Sequence, residues 1–320
     1  MMDAEERELF AKGIQHATAS RSGADLDAAL ADLGWKDALA TDPATTVATL
    51  FEHQGAAATT SSALDVVLVD ALEVDLDGST GMLLPPLGST APPAALVDGV
   101  LSVRGLSTSG LATRARALVV SDDADGTTAH VVDVASLDVR SVRGIDPGLG
   151  LFEVTGTAVP HVDAVAATEG WPGAVAAGQR ALAHELVGVS RTMLRLAREH
   201  ALDRVQFDRP IAGFQAVRHR LAESFVAIEA ADAAAGAAWD DGTPLTAALA
   251  KAVAGRSART VARHAQQVLA GIGFTTEHPL HLSIRRALVL DHLLGASRSL
   301  TGSLGADLLR DRRLPNLLPL

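Results

Sequence analysis

Arg204, Gln206, Phe207, Phe214 and Gln215 crowd into the short connection between two helical patterns, within DRVQFDRPIAGFQAVRHRLAE at residues 203–223. A plain turn needs only Gly, Pro, Asn or Asp, so this density asks for a reason. Arg204 closes one helix and Gln215 opens the next. A forked cation, a side-chain amide and the free amides of a helix N-terminus can then converge on one anion, a set suited to a diphosphate. The competing reading is a helix–helix turn in which Phe207, Ile211 and Phe214 plug the core, Pro210 stops regular pairing and Arg204 faces water.

Other chemistry-bearing patterns fail on their own terms. Gly148-Leu-Gly150 and Gly271-Ile-Gly273 lack the third glycine of a dinucleotide fingerprint, and neither opens a βαβ unit. Gly188-Val-Ser190 lacks the closing glycine of a nucleophile elbow and lies inside a helical pattern. In Glu277-His278-Pro279-Leu280-His281 the histidines are three apart and a proline interrupts the helix that would align them, so a structural role is expected and no metal site.

The elements that must position the dense turn fall into three blocks, read as residues 1–75, 76–165 and 166–320. The first is helical: EERELFAKGIQHA, ADLDAALADLGW and an apolar stretch from Thr46 to Leu72. Pro and Gly then cluster in DGSTGMLLPPLGSTAPPAALVDG, a loop or junction. Short β-branched runs follow (LSVRG, RALVVSDD, AHVVDVA, DVRSVRG, FEVTGTAV) and predict a small antiparallel sheet or barrel.

After Trp171-Pro172 the helical period returns. Leu182, Leu186, Val189, Met193 and Leu196 make one apolar seam with Arg191, Arg195 and Arg198 opposite, and Phe214, Val217, Leu221, Phe225 and Ile228 make the next. A break at Asp240-Asp241-Gly242-Thr243-Pro244, an Ala-rich helix to about Ala270 and a last pair of segments complete a predicted four-helix bundle. The fold class is therefore mainly α with a β middle domain.

Composition bounds the function. With 48% hydrophobic and 20% charged residues the chain is globular, and a net charge of −11 argues against a nucleic-acid partner. The absence of cysteine excludes disulfides and thiolate chemistry. Charges interrupt even LRRALVLDHLLG, so no membrane span is expected. The start MMDAEERELF is acidic where a secretory leader is basic and then apolar, which points to a cytoplasmic protein.

The dense turn spells R-x-Q-F-x-x-P-I-x-x-F-Q-x-x-x-H from Arg204 to His219 and resembles the signature of the acyl-CoA dehydrogenase family. Gln267-Val-Leu-Ala-Gly271-Ile-Gly273-Phe274-Thr275-Thr276-Glu277-His278-Pro279-Leu280, followed by Arg285-Arg286-Ala287, is similar to a second motif of that family. The order helix, sheet, helical bundle fits the same family. The resemblance implies FAD chemistry, in which a base takes the α-proton of an acyl-CoA thioester while the β-hydrogen leaves as hydride to the flavin. It also implies that Arg204, Gln206, Phe207, Ile211, Phe214 and Gln215, with Gln267, Gly271 and Gly273, grip the diphosphate and adenosine end of an FAD shared across a subunit interface. Glycines suit that role because a backbone without a side chain can be approached closely.

The resemblance breaks at the base. The family's glutamate positions fall here on Leu294, before the turn Gly295-Ala296-Ser297, and on Gly178 or its neighbour Gln179. None of these can take a proton. Glu185 is a weaker candidate, two turns further along the same helix face. Of the family's flavin-ring loop only Pro85-Pro86-Leu87-Gly88-Ser89-Thr90 remains, and no tryptophan lies between Trp35 and Trp171. The chain is thus most similar to the small, degenerate subunit of actinobacterial heterotetrameric acyl-CoA dehydrogenases, whose substrates are often steroid side-chain thioesters. The expected partners are an acyl-CoA and a full-length dehydrogenase subunit. Two alternatives remain open: a self-sufficient homo-oligomeric dehydrogenase using Glu185 or another atypical base, and a scaffold subunit without cofactor.

Overall fold

A computed structural model describes residues 3–74, 80–123, 126–166 and 170–312. Helix α1 (Ala4–Ser20) begins at a capping box, in which Asp3 accepts from the Glu6 amide and Glu6 accepts from the Asp3 amide. Helices α2 (Ala24–Asp32) and α3 (Trp35–Thr41) lead to α4 (Pro43–Ala57), which starts at a proline behind an Asp42 cap. The apolar stretch from Thr46 to Leu72 is two helices, because Ala58 turns into the left-handed region (φ 52°) before α5 (Ala63–Ala71) starts.

The middle block is a sheet of β1 (Thr80–Met82), β2 (Ala94–Val97), β3 (Val100–Ser107), β4 (Arg116–Asp123), β5 (Gly126–Asp133), β6 (Asp138–Ser141), β7 (Phe152–Gly156) and β8 (His161–Ala166), in the order β6-β7-β3-β2-β4-β5-β8 with β1 also on β4. The expected antiparallel sheet is in fact mixed. Both β1 and β2 lie parallel to β4, because the Pro-rich stretch carries the chain across the sheet instead of reversing it in a hairpin. Alternation sorts its residues: Leu118 and Val120 join the helical core, while Ala117 and Val119 join a second core with Leu101, Val103 and Val154.

The bundle is built on α6 (Gly170–Asp203), α7 (Gln215–Asp241) and α8 (Pro244–Leu269), with α9 (Leu280–His292) and α10 (Ser297–Asp311) packed on α8. Gly242 (φ 72°) ends α7, and Thr243 caps α8. The α7 seam differs from expectation. Ser224, Ile228, Ala231, Ala235 and Ala238 are buried at steps of four and three, so Phe225 falls beside the seam and is 55% exposed. Among the described residues no helix is long and apolar enough to cross a membrane.

Helices α4 and α6 cross at backbone contact through two reciprocal glycines. A Cβ on Gly55 would overlap the Glu185 carbonyl, and a Cβ on Gly188 would overlap the Glu52 carbonyl. Neither obstacle is a flexible side-chain end, so the helices themselves must separate to admit a methyl group. Gly188→Ala is expected to lower stability by about 1–3 kcal/mol, read from the denaturant midpoint. Gly236→Ala is the control. It lies on the exposed face of α7, where a Cβ meets nothing, and should raise stability by up to about 1 kcal/mol.

Candidate functional site

The dense turn is a two-stranded hairpin. Strands β9 (Val205–Gln206) and β10 (Arg209–Pro210) pair Gln206 with Arg209, leaving Phe207 and Asp208 as the two-residue tip at φ 53° and 62°. Positive φ at both tip residues is the type I′ pattern, which favours Asn-Gly and penalises a phenylalanine by roughly 1–2 kcal/mol. Phe207 is 85% exposed, so it plugs nothing and the core reading fails for it. Its ring meets Phe214 edge-on at 6.0 Å, and the Arg209 guanidinium lies 4.3 Å over the Phe214 ring. Ile211 does pack on the core.

Arg204 is fixed through its backbone, donating to the His200 carbonyl and accepting from the Ile211 amide. Its exposed guanidinium has no hydrogen-bond or ion-pair partner among the described residues. Gln206 donates only to its neighbour's carbonyl, and the exposed Gln215 starts α7, whose N-terminus no side chain caps.

Connectivity brings the second motif to the same place. Helix α6 ends, α7 begins and α8 ends at one end of the bundle, since the three run up, down and up through short links. His200 reports the meeting: its pKa is lowered by burial first and then by the charges of His278 and Arg204. Gln267 and Gly271 are exposed there, and Phe274 is 74% exposed at the end of the 3₁₀ turn Ala270–Phe274. The two glycines differ. A Cβ on Gly271 meets nothing, whereas one on Gly273 would lie 2.9 Å from Leu269 Cβ, so Gly273 is needed for packing. His278 caps the Leu280 amide and His281 Nδ1 bonds the His278 carbonyl, while Glu277 is exposed. Among the described residues the one group with metal-ligand spacing is Glu52, His184 and Asp232, and Arg191 bridges its two carboxylates while the Trp239 indole donates to His184 Nε2.

Leu294 and Gly178, where the resemblance would put a base, meet each other inside the chain. Leu294, 2% exposed, lies against Gly178 so closely that a Cβ there would overlap Leu294 Cδ1, with Leu64 and Leu68 beside it. Leu294 itself is at φ 53°, a left-handed conformation that leucine adopts at a cost. Its turn is pinned by three donated bonds, from Gln179 Nε2 to the Leu294 carbonyl (2.9 Å) and from Lys251 Nζ to the Asp291 (3.0 Å) and Gly295 (3.4 Å) carbonyls. Arg259 anchors Asp291 (2.8 Å) and Ser297 from the other side. The Pro85–Thr90 segment closes down on the same turn: Gly88 donates to the His292 carbonyl, and the Trp171 indole to the Thr90 carbonyl. Apolar groups thus fill the space around Gly178.

Glu185 is engaged elsewhere. It is 2% exposed and faces Arg286 Nη1 at 3.8 Å, and Arg286 also holds Asp146 (2.5 Å) and the carbonyls of Ala58 and Thr59 at the end of α4. Sequence reading missed this junction and a second buried acid, Asp65, which accepts from Thr108 Oγ1 at 2.8 Å. The only prior signal for either was an acid or arginine inside an apolar helical pattern.

Residues 174–309 match the family model of the acyl-CoA dehydrogenase C-terminal domain. Over 126 residues the chain is 39% identical to the acyl-CoA dehydrogenase IpdE2 of Mycobacterium tuberculosis, a match covering 39% of this chain and 40% of that relative. The matched part is therefore well under two thirds of the curated relative. The fold is similar over nearly the whole chain to a variant of the Tcur3481-Tcur3483 steroid ACAD (TM-score 0.74, 23% identity, 96% of each chain). It is similar also to the ChsE4-ChsE5 complex from Mycobacterium tuberculosis (TM-score 0.75, 18% identity, 98% of this chain and 99% of that one). The protein thus has the acyl-CoA dehydrogenase fold. More particularly, residues 174–309 are an acyl-CoA dehydrogenase C-terminal domain.

Burial pushes both Glu185 and Asp65 up to about 7, outweighing the Arg286 charge at the first and the Thr108 hydrogen bond at the second. The folded chain therefore holds protons that the unfolded chain releases near the ordinary carboxylate range of about 4. Their stabilising contribution is complete below that range and is lost as pH rises through about 7. Urea midpoints are expected to fall across this window, and Glu185→Gln and Asp65→Asn should each flatten the decline.

Proposed function

We propose that this chain is the FAD-interface subunit of a two-component acyl-CoA dehydrogenase, offering the diphosphate and adenosine end of the site to a partner subunit that supplies the base. The observation that carries this reading is the contrast between the two ends of the family site. At the outer end Arg204 is a free guanidinium beside an uncapped helix N-terminus, Gln206, Gln215 and Gln267 are exposed amides, and Phe207 and Phe274 stand out from the surface. Such donors fit the polyanionic end of FAD. At the inner end Leu294 covers Gly178, and the residues there do not fit a flavin ring with its substrate.

When bound, the flavin supplies the hydride acceptor for α,β-dehydrogenation. In this chain Arg204 would hold the phosphates through its charge, with Gln215 and the first amides of α7 beside it. Phe207 covers the nucleotide end and keeps water from it. Gln206, Ile211, Phe214, Gln267, Gly271 and Gly273 complete the cradle as ligands or supports. Glu185 does no proton transfer, because it is buried at the α4–α6 crossing facing Arg286 at 3.8 Å, closed off from any substrate. A steroid side-chain CoA thioester is the substrate class we put forward, supported by the likeness in fold to a protein named a steroid ACAD. A hetero-oligomer is supported by the likeness to a protein described as a complex of two chains.

Co-purification with the cognate full-length subunit is expected to give a yellow complex oxidising its acyl-CoA. Losing a charge-assisted hydrogen bond costs about 1.5–3 kcal/mol, so Arg204→Ala should weaken FAD retention by about tenfold or more. A colourless complex, or flavin content unchanged by Arg204→Ala, would mean a scaffold subunit and overturn the reading. Turnover by this chain alone, abolished in Glu185→Gln, would overturn it in favour of a self-sufficient enzyme.

A further inference from the structure

Arg180 is a cation without a counter-charge among the described residues. It lies on α6, and its guanidinium stacks 4.8 Å over the Trp239 ring. Trp239 is itself held by the bond from its indole nitrogen to His184 Nε2 (3.2 Å). Arg180 Nε and Nη1 are fully covered by protein and have no acceptor. Burial alone lowers its pKa, and no carboxylate lies within ion-pair distance among the described residues. Arginine cannot shed its proton to escape such a site as lysine can, so the charge persists and needs an anion.

A cavity of about 430 Å³ adjoins this guanidinium, between the end of α5, the first turns of α6 and the α7–α8 link. Arg180, Gly173 and Pro244 line one part of it, and Asp70 and Glu73 another. The two acids do not neutralise Arg180, and they crowd each other: Asp70 is raised by burial first and by Glu73 second. A bare anion would be drawn to Arg180 and repelled by the acids. An oxyanion carrying its own O–H resolves the conflict, since its charged oxygens accept from Arg180 while its hydroxyl donates to Asp70 or Glu73.

We propose that this cavity is a binding site for a phosphomonoester, with Arg180 as the anion ligand and Asp70 or Glu73 as the acceptor of the hydrogen bond from the phosphate hydroxyl. The stacked Trp239 fixes the guanidinium plane in advance, leaving Nη2 as the nitrogen able to face the ligand. The cavity is larger than a phosphate group alone and leaves room for an ester substituent.

The test uses the purified full chain and three probes near pH 6.5: inorganic phosphate, glycerol 3-phosphate and sulfate. Saturating phosphate or glycerol 3-phosphate should raise Tm by a few degrees and change Trp239 fluorescence, the stronger of the two showing whether the free ion or the ester is bound. Sulfate, which carries no proton at this pH, should bind at least tenfold more weakly, and Asp70→Asn with Glu73→Gln should remove that discrimination. Arg180→Gln should abolish the shift. Should that variant fail to fold, Arg180→Lys, which keeps the charge but loses the Trp239 stack that presents Nη2 to the cavity, should weaken binding by tenfold or more. Absence of any shift, its survival in Arg180→Gln, or sulfate binding as tightly as phosphate would overturn the proposal.

Discussion

The three blocks of the chain are held in register by one buried guanidinium. Arg286 comes from α9, pairs with Asp146 from the loop before β7, donates to the carbonyls of Ala58 and Thr59 just past the end of α4, and faces Glu185 on α6. Buried backbone carbonyls need a donor, and here an arginine from another block supplies it. Removing one member of such a buried cluster typically costs about 3–5 kcal/mol, because the others remain without water. The close α4–α6 crossing at Gly55 and Gly188 lies on the same faces and is compatible only with that registry. Gln54, bonded by Ser61 and close enough to Glu185 to oppose its protonation, ties the end of α4 into the cluster.

This registry also decides what becomes of the inner crevice. With α4, α5 and α6 fixed, Leu64, Leu68 and Gly178 form a shallow apolar seat, and the Leu293–Ala296 turn lowers Leu294 into it. The turn does not adopt that shape for its own sake, since leucine at positive φ is disfavoured. Lys251, buried with its charge aimed at two carbonyls, and Gln179 supply the donors that hold it. Burying a leucine side chain returns about 1.5–3 kcal/mol, more than the left-handed conformation costs.

Periodicity made the long helices legible, because Leu182, Leu186, Val189 and Met193 repeat at a step that only a helix reproduces. The runs around Leu101, Val119, Val131 and Val154 were legible as strands for the same reason at period two. What escaped was whatever depends on distant partners. Strands β1 and β2 are short and flank Pro-rich sequence, and they are strands because of distant partners, β1 through the parallel edge of β4 and β2 chiefly through antiparallel pairing with β3. The β9–β10 hairpin was invisible because Phe207-Asp208 carries no turn signal, and Phe225 was misplaced because Ser224, a polar residue, takes the seam position. Of the candidate site, the exposed Arg204, Gln215, Gln267 and Gly271 could be named from motif resemblance, and their gathering follows from helix direction. The meeting of Gly178 with Leu294 across 116 residues could not be read from local pattern (294 − 178 = 116). Nor could the capture of Glu185 by Arg286.

Exposure itself argues about what the outer end is for. Phe207 and Phe274 present 85% and 74% of their surface to water, and each would gain about 1.5–3 kcal/mol on being covered. Phe207 additionally sits in a backbone conformation that disfavours it, so the tip is costly twice over in the isolated chain. Phe225 and Val226, 55% and 66% exposed, extend the apolar surface along α7 away from the hairpin. A folded chain that stacks Arg209 on Phe214 yet leaves Phe207 bare has had the means to build a polar tip and has not used it. Surface of this kind is stable mainly when something apolar and partly anionic lies on it, and a nucleotide cofactor held by a neighbouring subunit has both properties. The filled inner crevice and the bare outer end are what the proposed division of labour between two chains requires.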